Sequence, residues 1–323
     1  MSDVRGATAE PTSPPLDAHG QFSLARAPLR IGVVSLVVRD LAVVSAFYRQ
    51  VIGLRRIEQG ADFERLGTSR TTLIELRHQP GAQLQSRRDA GLFHTAFLLP
   101  GRQELGQWLG FAAEARLRLD GAADHLVSEA LYLTDPEGNG IEIYRDRPVA
   151  EWTVRDGAIQ MASDPLDLEG IRQSAAGQAW SGFPEDGTIG HVHLQVGAIA
   201  PADAFYTTLL GFKITCRYPG ASFYGSGGYH HQLAGNIWNS RGAEPRRANT
   251  TGLARVELLT PDPAVITATA ERLAAAGYAG SASEAGLHLP EMEAGLHLPE
   301  MEAGLDLRDP WGVTISLRAN AAS

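Results

Sequence analysis

The chain has 323 residues, 44% of them hydrophobic and 20% charged, ordinary values for a globular protein of about two domains. A formal net charge of -9 with no basic stripe argues against a nucleic-acid partner, and the longest apolar runs, such as residues 31–38, fall far short of the ~20 residues that span a bilayer. Cys216 is the single cysteine, so no intrachain disulfide and no cysteine-rich zinc site can form, which fits a reducing, cytoplasmic setting.

Residues 1–28 are rich in Pro, Ser, Ala and Asp and lack the apolar centre of a signal peptide; they read as a disordered tail. Residues 29–147 then read as two modules (29–82 and 91–147), 148–187 as a linker of no clean period, and 188–318 as two further modules (188–240 and 251–318). The division rests on an internal repeat. The stretch IGVVSLVVRDLAVVSAFYRQVIGLRRI at 31–57 returns as IGHVHLQVGAIAPADAFYTTLLGFKIT at 189–215, with Gly32 matching Gly190, Phe47 matching Phe205 and Gly53 matching Gly211 without a gap.

Within each module a strand rich in β-branched residues comes first, such as residues 33–38. A helix follows, in which Leu41, Val44, Phe47, Tyr48 and Val51 recur at spacings of three and four. Gly53 or Gly211 stops it as a left-handed cap, and three more strands follow, joined by turns such as Asp135-Pro136-Glu137-Gly138 and Asp309-Pro310-Trp311-Gly312. Four strands and one helix cannot close a core alone, so the predicted fold is α+β, with four βαβββ modules paired into two domains. A nine-residue tandem, EAGLHLPEM at 284–292 and again at 293–301, reads as a duplication in a surface excursion; its His288 and His297 are copies rather than ligands.

His94 opens the first strand of the second module and His191 that of the third, while the first and fourth modules carry Val33 and Arg255 there. Glu142 lies in the last strand of the second module, beside the turn formers Asp135 and Asn139; the fourth module has Ser316 instead. Two histidines and a carboxylate on three strands form the donor set of a facial triad, suited to Fe(II) or Mn(II) with positions left open for ligands. A carboxylate on an apolar strand is costly unless it is paired or metal-bound. His193 shares a strand face with His191, so the two could exchange roles. Glu75 has no matching histidine at Val33 and reads as structural, and Phe223, Tyr224 and Trp238 as pocket walls or core.

The stretches HTAFLLP, DHLVSEALYLTDPEGNGIEIYRDRP, IGHVHLQV and GGYHHQLAGNIW resemble the vicinal-oxygen-chelate superfamily of glyoxalases, bleomycin resistance proteins and dioxygenases. Within it they resemble the catechol 2,3-dioxygenase type of extradiol ring-cleaving enzyme, over residues 30–318. The resemblance implies His94, Glu142 and His191 as ligands of Fe(II), with Mn(II) the alternative. It implies His231, in preference to His230, as the proton shuttle, and Tyr132, ten residues before Glu142, as a contact to substrate oxygen. His125 fits an upstream catalytic histidine, about two residues off the family spacing, and Tyr229, His230 and His193 are expected in the substrate pocket. The implied partners are a small aromatic diol, of catechol or hydroquinone type, and O2; a homo-oligomer is left open. Most two-domain members carry the ligand set in their third and fourth modules. Here it falls in the second and third, so the second must pair with the third and the first with the fourth. The rival readings are a glyoxalase-like isomerase or lyase, which would usually place Glu or Gln near His230 and His231, and a non-catalytic binding protein, which would usually lack the ligand set.

Overall fold

The chain runs four times through the same course, seen for residues 14–18, 20–278 and 304–320 of a computed structural model. The first pass is β1 (Arg30–Val38), α1 (Leu41–Phe47), β2 (Arg55–Gln59), β3 (Phe63–Gly67) and β4 (Thr72–His78). The second is β5 (Gly91–Leu98), α2 (Arg102–Glu114), β6 (Gly121–Asp124), β7 (Ser128–Thr134) and β8 (Gly140–Asp146). A connector holds β9 (Val154–Arg155), β10 (Ala158–Ile159) and α3 (Leu168–Ser174). The third pass is β11 (Thr188–Gln195), α4 (Ile199–Asp203), β12 (Lys213–Tyr218), β13 (Ala221–Gly225) and β14 (Leu233–Asn236). The fourth, among the described residues, shows β15 (Gly252–Thr260), α5 (Ala264–Ala275), β16 (Gly304–Arg308) and β17 (Thr314–Ala319), one strand fewer than the others. This is the α+β fold of paired βαβββ modules. The duplicated segment 284–301, with His288 and His297, lies outside the described residues, as does His19.

Local chemistry sets the element ends. The Asp40 carboxylate caps α1 by accepting from the Val43 amide, satisfying a donor that has no partner inside the helix. The helix winds on through a π-turn to Ile52, and Gly53 stops it at φ 85°. A side chain at Gly53 would also meet the Phe183 amide nitrogen at 2.6 Å, so the stop doubles as a close contact with the connector. Gly211 repeats the stop at φ 84°.

Two sheets result. One has the order β12-β13-β14-β11-β5-β8-β7-β6, joining the second and third modules through the antiparallel β5–β11 pair. The other, β16-β17-β15-β1-β4-β3-β2, joins the first and fourth through β1–β15. One apolar cluster spans both, from Leu36 and Tyr48 through Phe97 and Trp108 to Val256 and Ile315, and the Trp108 indole donates to the Val51 carbonyl at 3.0 Å.

One expectation for the segments outside the modules needs correction. The disordered tail assigned to residues 1–28 does not reach residue 28: Phe22, Leu24 and Ala27 are buried with Tyr229, and Phe22 lies 4.9 Å from the Tyr229 ring, because these few apolar residues have a groove to fill. The linker 148–187 is more than a tether. Its α3 packs on α2, with Ser174 bonded to the Arg102 carbonyl, and Met161, Ala162 and Ser163 wall the cavity described below.

Candidate metal centre and active site

Strand register builds the centre. Across the parallel β5–β8 pair Ala96 lies opposite Glu142, and across the antiparallel β5–β11 pair Ala96 lies opposite His191. Glu142 and His191 therefore flank Ala96 in one row, and His94, two residues back on β5, shares its face. Tyr132 extends the row beyond Glu142, and His193 lies opposite His94. A small residue at the middle of the row leaves the three longer side chains room to converge.

His94, Glu142 and His191 offer ligand atoms that all lie within 4.8 Å of one another, and all three residues are buried. The two Nε2 atoms stand 2.9 Å (His94) and 3.1 Å (His191) from the same oxygen, Glu142 Oε2. His94 Nε2 nevertheless has no hydrogen-bond partner of acceptable geometry, and neither does His191 Nδ1. Burial alone would raise the Glu142 carboxyl, but His191 and His94 more than offset it and hold the carboxyl well below its ordinary value. Burial drives His191 down to about 4, so its imidazole is neutral at neutral pH. Neutral imidazole and ionised carboxylate are the states that bind metal. With a buried ring nitrogen lacking a partner, the donor set fits a divalent ion of the kind held by two histidines and one carboxylate.

The centre forms the floor of a cavity of about 280 Å³ whose wall is mostly apolar, including Phe93, Val127, Met161, Phe223 and Trp238. His231 lines it, its ring 4.2 Å from that of His191. Burial, reinforced by His191, His230 and neighbouring histidines, keeps His231 well below its ordinary value and neutral. His125 and Tyr132 line the opposite side and are joined, the Tyr132 hydroxyl lying 2.5 Å from His125 Nε2. His125 Nδ1 stands 2.6 Å from the Ala162 carbonyl, which can only accept. The Ala162 carbonyl thus places a ring hydrogen of His125 on Nδ1, and Nε2 is the nitrogen that meets the Tyr132 hydroxyl. Burial, then the charge of Glu142, holds the Tyr132 phenol well above its ordinary value.

His193 also lines the cavity, between Phe93 and Trp238 at ring distances of 5.1 and 5.4 Å, and its Nε2 has no partner. The converging set contains His191 and not His193. Tyr229 and His230, expected in the substrate pocket, do not line the cavity. Both are fully buried and turned to Asp146, because a carboxylate in the interior demands donors. Sequence reasoning missed Asp146 and Tyr144, although they alternate with Glu142 along β8 and so share its face, the signal that could have found them.

The other sheet provides an internal comparison. The same register aligns Arg65, Glu75, Ser35 and Arg255 in the positions of Tyr132, Glu142, Ala96 and His191. There Glu75 pairs with Arg77 at 2.7 Å, Arg65 at 3.0 Å and Arg255 at 3.7 Å. Fixed guanidinium groups neutralise Glu75. In the matching row Glu142 has the His191 imidazole and no guanidinium beside it.

Comparison with known proteins agrees with this architecture. The Glyoxalase/Bleomycin resistance protein/Dioxygenase superfamily matches residues 30–143 and 188–317, more than half of the chain. A catechol-2,3-dioxygenase of Bacillus subtilis (strain 168) is 40% identical over 255 residues, covering 77% of this chain and 88% of its own. Among solved structures, a putative dioxygenase from Bacillus subtilis subsp. subtilis str. 168 aligns with a TM-score of 0.56 at 13% identity, over 91% of this chain and 86% of its own. Glyoxalase I from Zea mays aligns with a TM-score of 0.51 at 17% identity, over 90% and 92%. The two structural likenesses speak for the fold alone. The chain belongs to the glyoxalase/bleomycin resistance protein/dioxygenase superfamily.

Proposed function

We propose that the chain is an extradiol ring-cleaving dioxygenase that binds a catechol- or hydroquinone-type diol at Fe(II) held by His94, Glu142 and His191. The observation that carries this reading is the convergence of those three side chains on the floor of an apolar cavity that also presents His231 and the His125–Tyr132 pair. Similarity to the Bacillus catechol-2,3-dioxygenase supports the same reaction class. When bound, Fe(II) would supply the centre that accepts the diol and O2 together and overcomes the kinetic inertness of O2 towards a closed-shell ring.

The chain's own groups would do the rest. Two neutral imidazoles and one carboxylate leave one positive charge on the Fe(II) centre, which favours a diol that has lost a proton. His231, neutral and facing the cavity, takes that proton and later returns one, a general acid–base role. Tyr132, held beside His125 Nε2 at 2.5 Å, donates a hydrogen bond to substrate oxygen. Phe93, Phe223 and Trp238 flank the ring and exclude water. Among the described residues the cavity wall contains no lysine or arginine, so a ring with uncharged substituents fits it better than one bearing a carboxylate.

The test is a colour assay. Catechol or an alkyl-substituted analogue should give a yellow ring-opened product with Fe(II) and none without it. Absence of product from a chain that has taken up iron would overturn the reading, and would turn attention to isomerase or lyase chemistry on the same fold.

A further inference from the structure

Two buried side chains next to the cavity have no part in the chemistry just described. Asp146, 2% exposed, alternates with Glu142 and Tyr144 along β8; His230, fully buried, immediately precedes His231. Asp146 Oδ2 accepts from the Tyr229 hydroxyl at 2.8 Å, and Oδ1 stands 2.8 Å from His230 Nε2. His230 Nδ1 in turn stands 2.8 Å from His231 Nδ1. The direction of this chain follows from donor counting. A carboxylate oxygen accepts, so His230 Nε2 carries the hydrogen. With a single hydrogen on the His230 ring, held at Nε2 by the carboxylate, His230 Nδ1 is a lone pair and the nitrogen facing it, His231 Nδ1, is the donor. His231 Nε2 is then the bare nitrogen of a ring that lines the cavity. Free neutral histidine prefers the opposite tautomer, with the hydrogen on Nε2.

We propose that Asp146 and His230 are positioning residues that fix His231 as its Nδ1–H tautomer, leaving Nε2 as a proton acceptor turned to the diol. What that acceptor does in turnover rests on the dioxygenase reading; the tautomer does not. When His231 takes a proton at Nε2, its Nδ1–H donates more strongly to His230, and the Asp146 carboxylate two links away offsets the new charge. The same logic explains why a neighbour that turns only an acceptor to His231 is useful here: the wrong tautomer would present a donor to a hydroxyl that has to give up its proton.

The test is the tautomer itself, read from long-range 1H–15N spectra of the full-length chain labelled at histidine, with His231→Asn identifying the signal. The wild type should show His231 with hydrogen on Nδ1 and a bare Nε2. His230→Phe removes the acceptor and should move the hydrogen to Nε2. His230→Asn keeps an amide oxygen as acceptor and should retain Nδ1–H. With catechol, His230→Phe should lower kcat by about 10²–10⁴-fold, the range of a lost acid–base group, while iron content and KM stay near wild type and His230→Asn recovers most of the rate. A wild-type His231 carrying its hydrogen on Nε2, or a His230→Phe variant that keeps it on Nδ1, overturns the proposal. If the tautomers are as expected but no diol is cleaved, the relay stands and the dioxygenase reading falls.

Discussion

Glu142 and His231 share one cavity, yet they should fail in different ways. Glu142→Gln keeps the shape and removes the charge that imidazoles alone cannot supply, so iron uptake and turnover should both collapse. His231→Asn leaves the three converging side chains in place, so iron per chain should stay near wild type while kcat falls by about 10²–10⁴-fold. Equal loss of iron in both variants would make His231 a ligand or a structural residue. His191 adds a pH signature to the metal-free chain. Burial lowers it from 6.5 to about 4, so the unfolded state binds the proton that the folded state refuses. Its contribution to stability is therefore present above pH 6.5 and lost as pH falls towards 4, on the order of 3 kcal/mol in all. Asp135 and Asp309, raised to about 6 by burial, act in the opposite direction, so the readout is the difference between wild type and His191→Gln. That difference in unfolding free energy should shrink or change sign between pH 7 and 4; a constant difference contradicts a buried neutral His191. The two histidines that converge on Glu142 were legible in the sequence because the repeat shows a histidine where other modules have Val33 or Arg255. Asp146 was not, since its part depends on a neighbour far along the chain, His230.

At the scale of elements, β5 decides the geometry, because its Ala96 sits between Glu142 on β8 and His191 on β11. Ala96 is fully buried against Ala130 and Tyr144. Ala96→Leu should cost about 1–3 kcal/mol through overpacking and, more tellingly, should push the ligands apart so that iron content drops. A variant that binds iron normally would mean that the small residue plays no part in their convergence. Strand and helix order could be read from periodicity, and the glycine stops from their place after the helical run. The connector could not. Residues 161–163 form a wall of the cavity without any period, and their position is fixed by contacts such as the His125–Ala162 bond and the Asp124–Asp164 bridge, which no local pattern announces. Residues 20–28 escaped for a similar reason: three buried apolar side chains are too few to shift a composition.

Across the whole molecule, two pseudo-equivalent sheets have taken opposite courses. One surrounds Glu75 with three arginines, so its charge is already met. The other leaves Glu142 among imidazoles beneath a cavity. The pairing of the second module with the third follows from strand register and decides which of the two carboxylates can take an ion. The most direct test is diffraction from crystals of the iron-loaded chain at the iron absorption edge. One anomalous peak should lie about 2 Å from His94 Nε2, His191 Nε2 and a Glu142 oxygen, with none near Glu75. A peak elsewhere, or an iron-loaded chain with no ordered peak at this point, would contradict the account.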